Sequence, residues 1–166
     1  MYVYAPMTIS AEDFKRALSR RASGVAVVTA RNGERIHGMT VSAFTEVSLE
    51  PPLVLVCADK TSNTLPVIRA GGVFAINVLA RDQQELSNRF ALKKDENKRF
   101  DGLEFDVGRT GAPLLRGVAV NIDCRVVAEH DAGDHVVYIG QVEEVRSFDR
   151  DPLLYFRGTY GSFEGR

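Results

Sequence analysis

The sequence predicts a mainly β fold, a mostly antiparallel barrel decorated by two to three peripheral helices, on three observations. From Val118 onward the period-2 signal is the cleanest in the chain. Val118, Val120, Ile122, Cys124, Val126 and Ala128 fall on one face, and Asn121, Asp123, Arg125 and Glu129 on the other, as in a strand with two unlike faces. Strands also succeed one another without a helix in each gap, which argues against a doubly wound parallel sheet. Closing about six or seven such strands on themselves removes exposed edges, which favours a barrel.

The elements follow in order. Ser10 stands as the cap of a first helix, with Asp13 three residues on and Phe14 and Leu18 at i,i+4 on one face. Val25 to Ala30 is a β-branched run that reads as a strand, and Asn32-Gly33 is a strong two-residue hairpin signal. The returning strand, Ile36 to Phe44, alternates Met39, Val41 and Ala43 against Thr40 and Ser42. Pro51-Pro52 breaks the pattern before Leu53–Cys57, a continuous apolar run that reads as a strand buried on both faces. Thr61–Thr64 leads into a short helix through Leu65 to Ile68, which Gly71-Gly72 ends, and Val73 to Leu79 is the next strand. Asp82 with Glu85 resembles a capping box for a helix carrying Leu86 and Phe90. The mixed charges of Lys93 to Arg99 read as a solvated surface segment. A turn at Asp131–Gly133 then joins the long alternating strand to Val136–Val145, forming an antiparallel hairpin.

The chain has 166 residues, 45% of them hydrophobic, which fits a single domain over 1–166 with room for a core. With 21 Lys plus Arg against 22 Asp plus Glu, the net charge of −1 carries no basic excess for nucleic acid. No apolar run approaches the roughly 20 residues that span a bilayer. Met1 to Pro6 lacks the basic and apolar regions of a secretory signal. Cys57 and Cys124 sit in apolar runs and read as buried reduced thiols, so the expected location is cytoplasmic.

Several chemistries lack their residues. No G-x-G-x-x-G, Walker-type phosphate loop or G-x-S-x-G elbow is present. His130 and His135 have no metal-ligand spacing, and His37 reads as a polar strand residue, so no metal site is expected. Three polar islands remain. Thr40 and Ser42 are i,i+2 on a strand, so their hydroxyls point the same way, roughly 6–7 Å apart. Thr61-Ser62-Asn63-Thr64 precedes a helix whose free N–H groups favour an anion. One of its residues suffices for a cap, so a cap and a phosphate cradle both remain open. Gly133-Asp134-His135 at the start of the last long strand reads, on spacing alone, as a turn.

Four blocks in order resemble those of the flavin reductase-like family. Met39-Thr40-Val41-Ser42-Ala43-Phe44, with Ser48 and Pro51-Pro52-Leu53-Val54, is similar to its opening block. Asn77-Val78-Leu79 with Gln84, Leu86-Ser87 and Arg89-Phe90-Ala91 is similar to the second, and Gly133-Asp134-His135 with Gly140 and Val142 to the third. Pro152 to Tyr160 resembles the closing block, and the likeness runs from about Phe14 to Phe163. By these blocks the chain is identified as a member of the short-chain NAD(P)H:flavin oxidoreductases, the reductase partners of two-component flavin monooxygenases.

The resemblance implies a split β-barrel and a homodimer with flavin near the subunit boundary. It implies reduction of free FMN or FAD by NADH or NADPH, and delivery of the reduced flavin to a separate monooxygenase. By the same resemblance, Thr40, Val41 and Ser42 contact the ribityl-phosphate side, while Ser62 and Thr64 hold phosphate with Arg89 as cationic partner. Asn77, Val78 and Leu79 lie near the isoalloxazine edge, and Gly133, Asp134 and His135 face the nicotinamide, with His135 the candidate catalytic residue. Hydride transfer between two cofactors needs no protein nucleophile, which suits a chain lacking one. The alternative is a barrel of the same kind that binds flavin as an electron carrier and does not turn over pyridine nucleotide.

Overall fold

The computed structural model of the protein describes residues 4–165; Met1 to Val3, part of the stretch read above for a secretory signal, lie outside that range. The chain runs α1 (Ala11–Leu18), β1 (Ser23–Gly24), β2 (Ala26–Asn32), β3 (Arg35–Val41), β4 (Phe44–Leu49), β5 (Pro52–Asp59), α2 (Leu65–Gly71) and β6 (Val73–Val78). It continues through α3 (Gln84–Ala91), β7 (Phe105–Val107), β8 (Pro113–Leu115), β9 (Val120–Ala132), β10 (His135–Ser147), β11 (Leu153–Phe156) and β12 (Thr159–Ser162).

Seven strands form one antiparallel sheet in the order β3-β2-β6-β9-β10-β5-β4. Its two edge strands, β3 and β4, are consecutive in the chain and joined only by Ser42 and Ala43. The sheet therefore returns on itself and closes into a barrel split between these edges. The strand expected from Ile36 to Phe44 is thus two strands. β3 ends where Val41 pairs with Ala26, and Phe44 begins a pairing with Val56 instead.

The barrel interior takes the inward side chains of each strand, among them Val28, Met39, Val56, Phe74, Ile76 and Tyr138, and the α2 residues Leu65 and Ile68 pack into the same cluster. Leu53–Cys57 does not bury both faces as expected. Val54 and Val56 point inward, while Leu53, Leu55 and Cys57 are half-exposed on the outer surface. A second apolar cluster lies outside the barrel wall, where Val27, Leu79 and Leu153 meet Phe90 of α3. Fully burying a side chain the size of Phe90 contributes roughly 1.5–3 kcal/mol. β1, β11 and β12 form a small sheet beside this cluster.

Local signals fare unevenly. Ser10 caps α1 by accepting from the Asp13 N–H at 3.0 Å, yet the helix buries no residue and leaves Phe14 and Leu18 about half exposed. The β2–β3 turn sits one residue later than expected. Asn32 pairs with Arg35, so Gly33 and Glu34 are the turn residues, and Gly33 takes the positive φ of 60°. Asp82 does not cap α3, because its carboxylate accepts from Arg150 at 2.6 Å and Gln83 occupies the cap position.

The polar face of β9 is divided. Arg125 and Glu129 are exposed, but Asn121 and Asp123 are buried beneath the segment that carries β7 and β8. Asn121 lies directly opposite Asn77 of β6. The Asn77 amide donates to Val27 O at 2.9 Å and Thr29 Oγ1 at 3.0 Å, and accepts from the Leu115 N–H at 2.9 Å and Asn121 Nδ2 at 2.8 Å. One side chain thereby ties β2, β6, β8 and β9 together. Asp123 accepts from the Thr110 N–H at 2.7 Å and fastens the loop before β8.

Asn77→Leu strands several of these partners in an apolar interior, at ~1–3 kcal/mol for each unsatisfied group. The expected loss is roughly 3 kcal/mol in urea unfolding, and a loss below about 1 kcal/mol would show that the amide does not hold the strands.

Candidate functional site

The site is a groove between strand β3 and helix α3. The helix approaches the strand closely because Gly38 has no side chain: a Cβ there would lie 2.8 Å from Phe90 Cε1. The pair is tied where Thr40 Oγ1 donates to Ser87 O at 2.6 Å. Two hollows of about 200 and 210 Å³ run along the groove and share Thr40 and Ala91. Their combined size falls in the range of small-ligand sites. Hollows of about 400 Å³ elsewhere, such as the one between Arg89, Lys94 and Asp101, are open surface depressions.

One hollow is lined by Val25, Val41, Ser42, Ser87, Tyr155 and Tyr160 besides the shared pair. The Tyr155 and Tyr160 rings meet edge to face with centroids 5.3 Å apart. Val41 keeps most of its side chain in the core, whereas Ser42 is exposed just beyond the end of β3.

The other hollow is lined by Met39, Asp59, Thr61, Ser62, Lys93, Glu96 and Arg99 among others. The Thr61 hydroxyl donates to Asp59 Oδ1 at 2.7 Å and accepts from Lys93 Nζ at 3.1 Å. Hydrogen bonds from the Thr61 hydroxyl and N–H, helped by the charges of His135 and Lys93, hold the Asp59 carboxyl below the usual carboxylate range. Ser62 Oγ lies 3.2 Å from Met39 Sδ and accepts from the Thr64 N–H at 3.2 Å. Thr64 gives the seven-residue α2 no side-chain cap, and the hydroxyls around it bond instead to Asp59, His37 and the Thr64 N–H.

Behind this hollow lies a buried network. The Thr64 hydroxyl is fully enclosed and meets His37 Nδ1 at 2.8 Å. His37 Nε2 faces Glu96 at 3.6 Å, and Glu96 also accepts from Asn63 Nδ2 at 2.5 Å and pairs with Arg99 at 3.3 Å. Arg99 is only 4% exposed and donates to Gly38 O at 2.7 Å and Leu92 O at 2.5 Å. The charged segment read as a solvated surface therefore sends Glu96 and Arg99 inward. Burial, with Arg99 beside it, pushes the His37 imidazole below its ordinary value.

The residues singled out from sequence divide accordingly. Thr40, Val41, Ser42 and Ser62 line the groove. Thr64 lies behind it, its hydroxyl committed to His37. Asn77 is fully buried with its amide saturated, and Leu79 is fully buried, so neither side chain has a face for a ligand. The backbone beside them is also committed: Val78 O accepts from Ala119 N–H, Leu79 N–H donates to Val25 O and Leu79 O accepts from Leu153 N–H. Arg89 turns away and donates to the carbonyls of Lys98 and Asp101, holding the turn after α3. Gly133, Asp134 and His135 sit at the β9–β10 turn, where His135 pairs across the sheet with Asp59 and its Nδ1 meets Asp134 Oδ1 at 2.8 Å. Within one chain this places His135 beside the hydroxyl-lined end of the groove. Lys93 and the two tyrosines carried no role in the sequence reading. The tyrosines had a local signal in Tyr155-Phe156-Arg157-Gly158-Thr159-Tyr160, a hairpin whose Gly turn makes the two rings cross-strand partners.

Burial disfavours the thiolate of both cysteines, pushing Cys57 up and Cys124 up to about 12. Among the described residues no cluster of metal-ligating side chains occurs, and no helix is long and apolar enough to cross a membrane.

The family profile described as "Flavin reductase like domain" matches residues 18–164. The chain is 39% identical over 162 residues to FMN reductase (NADH) SmoA of Agrobacterium fabrum, covering 98% of this chain and 91% of that protein. It is 36% identical over 159 residues to the flavin-dependent monooxygenase reductase subunit HsaB of Mycobacterium tuberculosis, covering 94% of this chain and 84% of that one. The solved structure of flavin reductase PheA2 in its native state superposes with a TM-score of 0.87 at 35% identity, covering 95% of this chain and 100% of that chain.

The His37 network makes stability pH-dependent in a defined direction. The folded-state value lies below the unfolded one, so the unfolded chain binds more protons as the pH falls through about 6.5. The His37 contribution is therefore complete above that pH and lost as the pH drops toward the folded-state value. Urea midpoints at pH 7.5 and 5.5 should fall further for the parent protein than for His37→Gln. Parallel losses in the two proteins would contradict the assignment.

Proposed function

The chain belongs to the flavin reductase-like family, and from that premise we propose that it is an NAD(P)H:flavin oxidoreductase of split-barrel fold. It reduces free FMN or FAD with NADH or NADPH, and hands the reduced flavin to a separate flavin-dependent monooxygenase, in keeping with the HsaB relative, a reductase subunit of such a monooxygenase. The whole span 1–166 serves as one flavin reductase-like domain. Two free cysteines, Cys124 buried and Cys57 half-exposed on β5, support the proposed cytoplasmic location.

The observation that carries this reading is the two-ended groove. A flavin mononucleotide is a planar ring joined through a ribityl chain to a phosphate. The groove offers an apolar, aromatic end and a hydroxyl-and-lysine end, with Thr40 and Ala91 between them. Ser62, Thr61 and Lys93 suit the phosphate, and Lys93 takes the cationic part first given to Arg89. Thr40, Val41 and Ser42 lie along the ribityl-to-ring path. The cofactors supply the hydride chemistry, while the protein binds, aligns and excludes water. Few and short contacts suit a flavin that must leave after reduction.

His135, with Gly133 and Asp134, is proposed to contact the nicotinamide. His135 lies away from the tyrosine end of its own groove, and we propose that it meets the nicotinamide across the boundary of a homodimer. The half-exposed Leu53, Leu55 and Cys57 of β5 and the unpacked apolar residues of α1 are apolar surface that such a dimer would cover. Sedimentation of a single monomeric species that still turns over would remove the dimer from this picture.

Steady oxidation of NADH or NADPH that depends on added FMN or FAD tests the function directly. A tightly held flavin inert to both nucleotides would favour the electron-carrier alternative instead. In the same assay His135→Ala should lower kcat/KM for the nucleotide about tenfold, the equivalent of ~1.4 kcal/mol, with the flavin KM unchanged. Lys93→Ala should weaken FMN by ~1.5–3 kcal/mol, roughly 10- to 100-fold, and riboflavin little, because only FMN has the phosphate. Arg89→Ala should not discriminate between the two flavins; the reverse pattern would restore Arg89 to the phosphate.

A further inference from the structure

We infer that Tyr155 and Tyr160 form the wall against which the flavin ring packs, and that Tyr160 is a positioning residue fixing that wall to α3. The inference rests on the flavin reading above and deepens it by giving each ring of the aromatic end its own part.

The hairpin itself creates the pair. Arg157 and Gly158 both take positive φ, 51° and 80°, and the two-residue turn between Phe156 and Thr159 puts Tyr155 directly opposite Tyr160. The two rings differ in freedom. Tyr160 Oη lies 2.8 Å from Ser87 Oγ and donates to Asn88 Oδ1 at 3.0 Å, both on α3. Ser87 in turn accepts at its carbonyl from Thr40 on β3. A continuous chain of hydrogen bonds therefore sets the spacing among β12, α3 and β3, the three walls of this hollow. Tyr155 remains 38% exposed at the groove, with its ring edge-to-face against Tyr160.

An aromatic ring held this way suits another planar ring, in offset or edge-to-face contact. The polarity of the groove decides which ring. The other hollow is polar and charged, with Lys93 and Arg99 beside Thr61, Ser62, Asp59 and Glu96, so a ligand spanning both hollows presents its uncharged planar end to the tyrosines and its polar tail to Lys93.

The test compares three flavins that share the ring and differ in the tail: lumiflavin, riboflavin and FMN, titrated by flavin fluorescence. Tyr155→Leu should weaken all three by the same factor, about 3- to 10-fold, the equivalent of ~0.5–1.5 kcal/mol. Tyr160→Phe keeps the ring but loses both hydrogen bonds, and should weaken all three less than Tyr160→Leu does. A role confined to stability would lower the thermal midpoint without this uniform change in affinity. Should the Tyr160 variants fail to fold, Tyr155→Leu at its exposed position still decides. Unchanged lumiflavin affinity in folded variants overturns the inference, as does a loss confined to FMN. A raised KM for NADH with unchanged flavin affinity also overturns it, by giving the wall to the nicotinamide. Failure of the unaltered protein to bind any of the three flavins would instead overturn the parent reading.

Discussion

The close approach of α3 to β3 is the constraint on which the groove depends. Gly38 leaves room for the Phe90 ring, and its carbonyl accepts from the buried Arg99 guanidinium. One contact comes through the helix itself and the other through the charged segment that follows it, and Phe90 and Arg99 both also line the hydroxyl-bearing hollow. Removing an ionic partner from an interior is costly, whereas an intact pair is only weakly stabilising. Arg99 is better understood as fixing position than as supplying strength.

Around that contact the barrel keeps its register by polar means. A one-residue slip of a strand exchanges its two faces. Along β6 and β9 the slip would carry Asn77 and Asn121 from a site with four complementary partners into an apolar interior. The apolar residues of these strands are interchangeable in a way that the amides are not. Similar logic applies at Asp123, whose carboxylate pins the loop preceding β8. The outer face of this half of the barrel is thus buried yet polar, while the outer face of β5 is apolar and half-exposed. The two halves consequently meet solvent on different terms.

Much of this was legible in the sequence where one short segment determines one outcome. Ser10 caps the helix it was read to cap, the long β9–β10 hairpin forms with its turn moved to Gly133 and Asp134, and Thr40, Ser42 and Ser62 come to line one groove although Ser42 lies past the end of its strand. What escaped depended on partners remote in sequence. The charges of Lys93 to Arg99 looked solvated because nothing nearby reveals that Glu96 meets His37 or that Arg99 meets Gly38. Asn77 was placed beside the flavin by resemblance alone, and nothing in its own strand announces that Leu115 and Asn121 engage its amide. Nothing local to Arg89 reveals that its guanidinium reaches the carbonyls of Lys98 and Asp101, and no local pattern marks the contact of Lys93 with Thr61. Strand alternation also misled at Leu53–Cys57, where an apolar outer face looks the same as an interior one.

The tyrosine-lined end of the groove draws on Val25, near the start of the family-matching span, and on Tyr160, near its close. The hollow therefore exists only where the closing hairpin lies against β1 and α3. Loosening that hairpin dissolves one wall while the seven-stranded sheet, which shares no strand with it, stays whole.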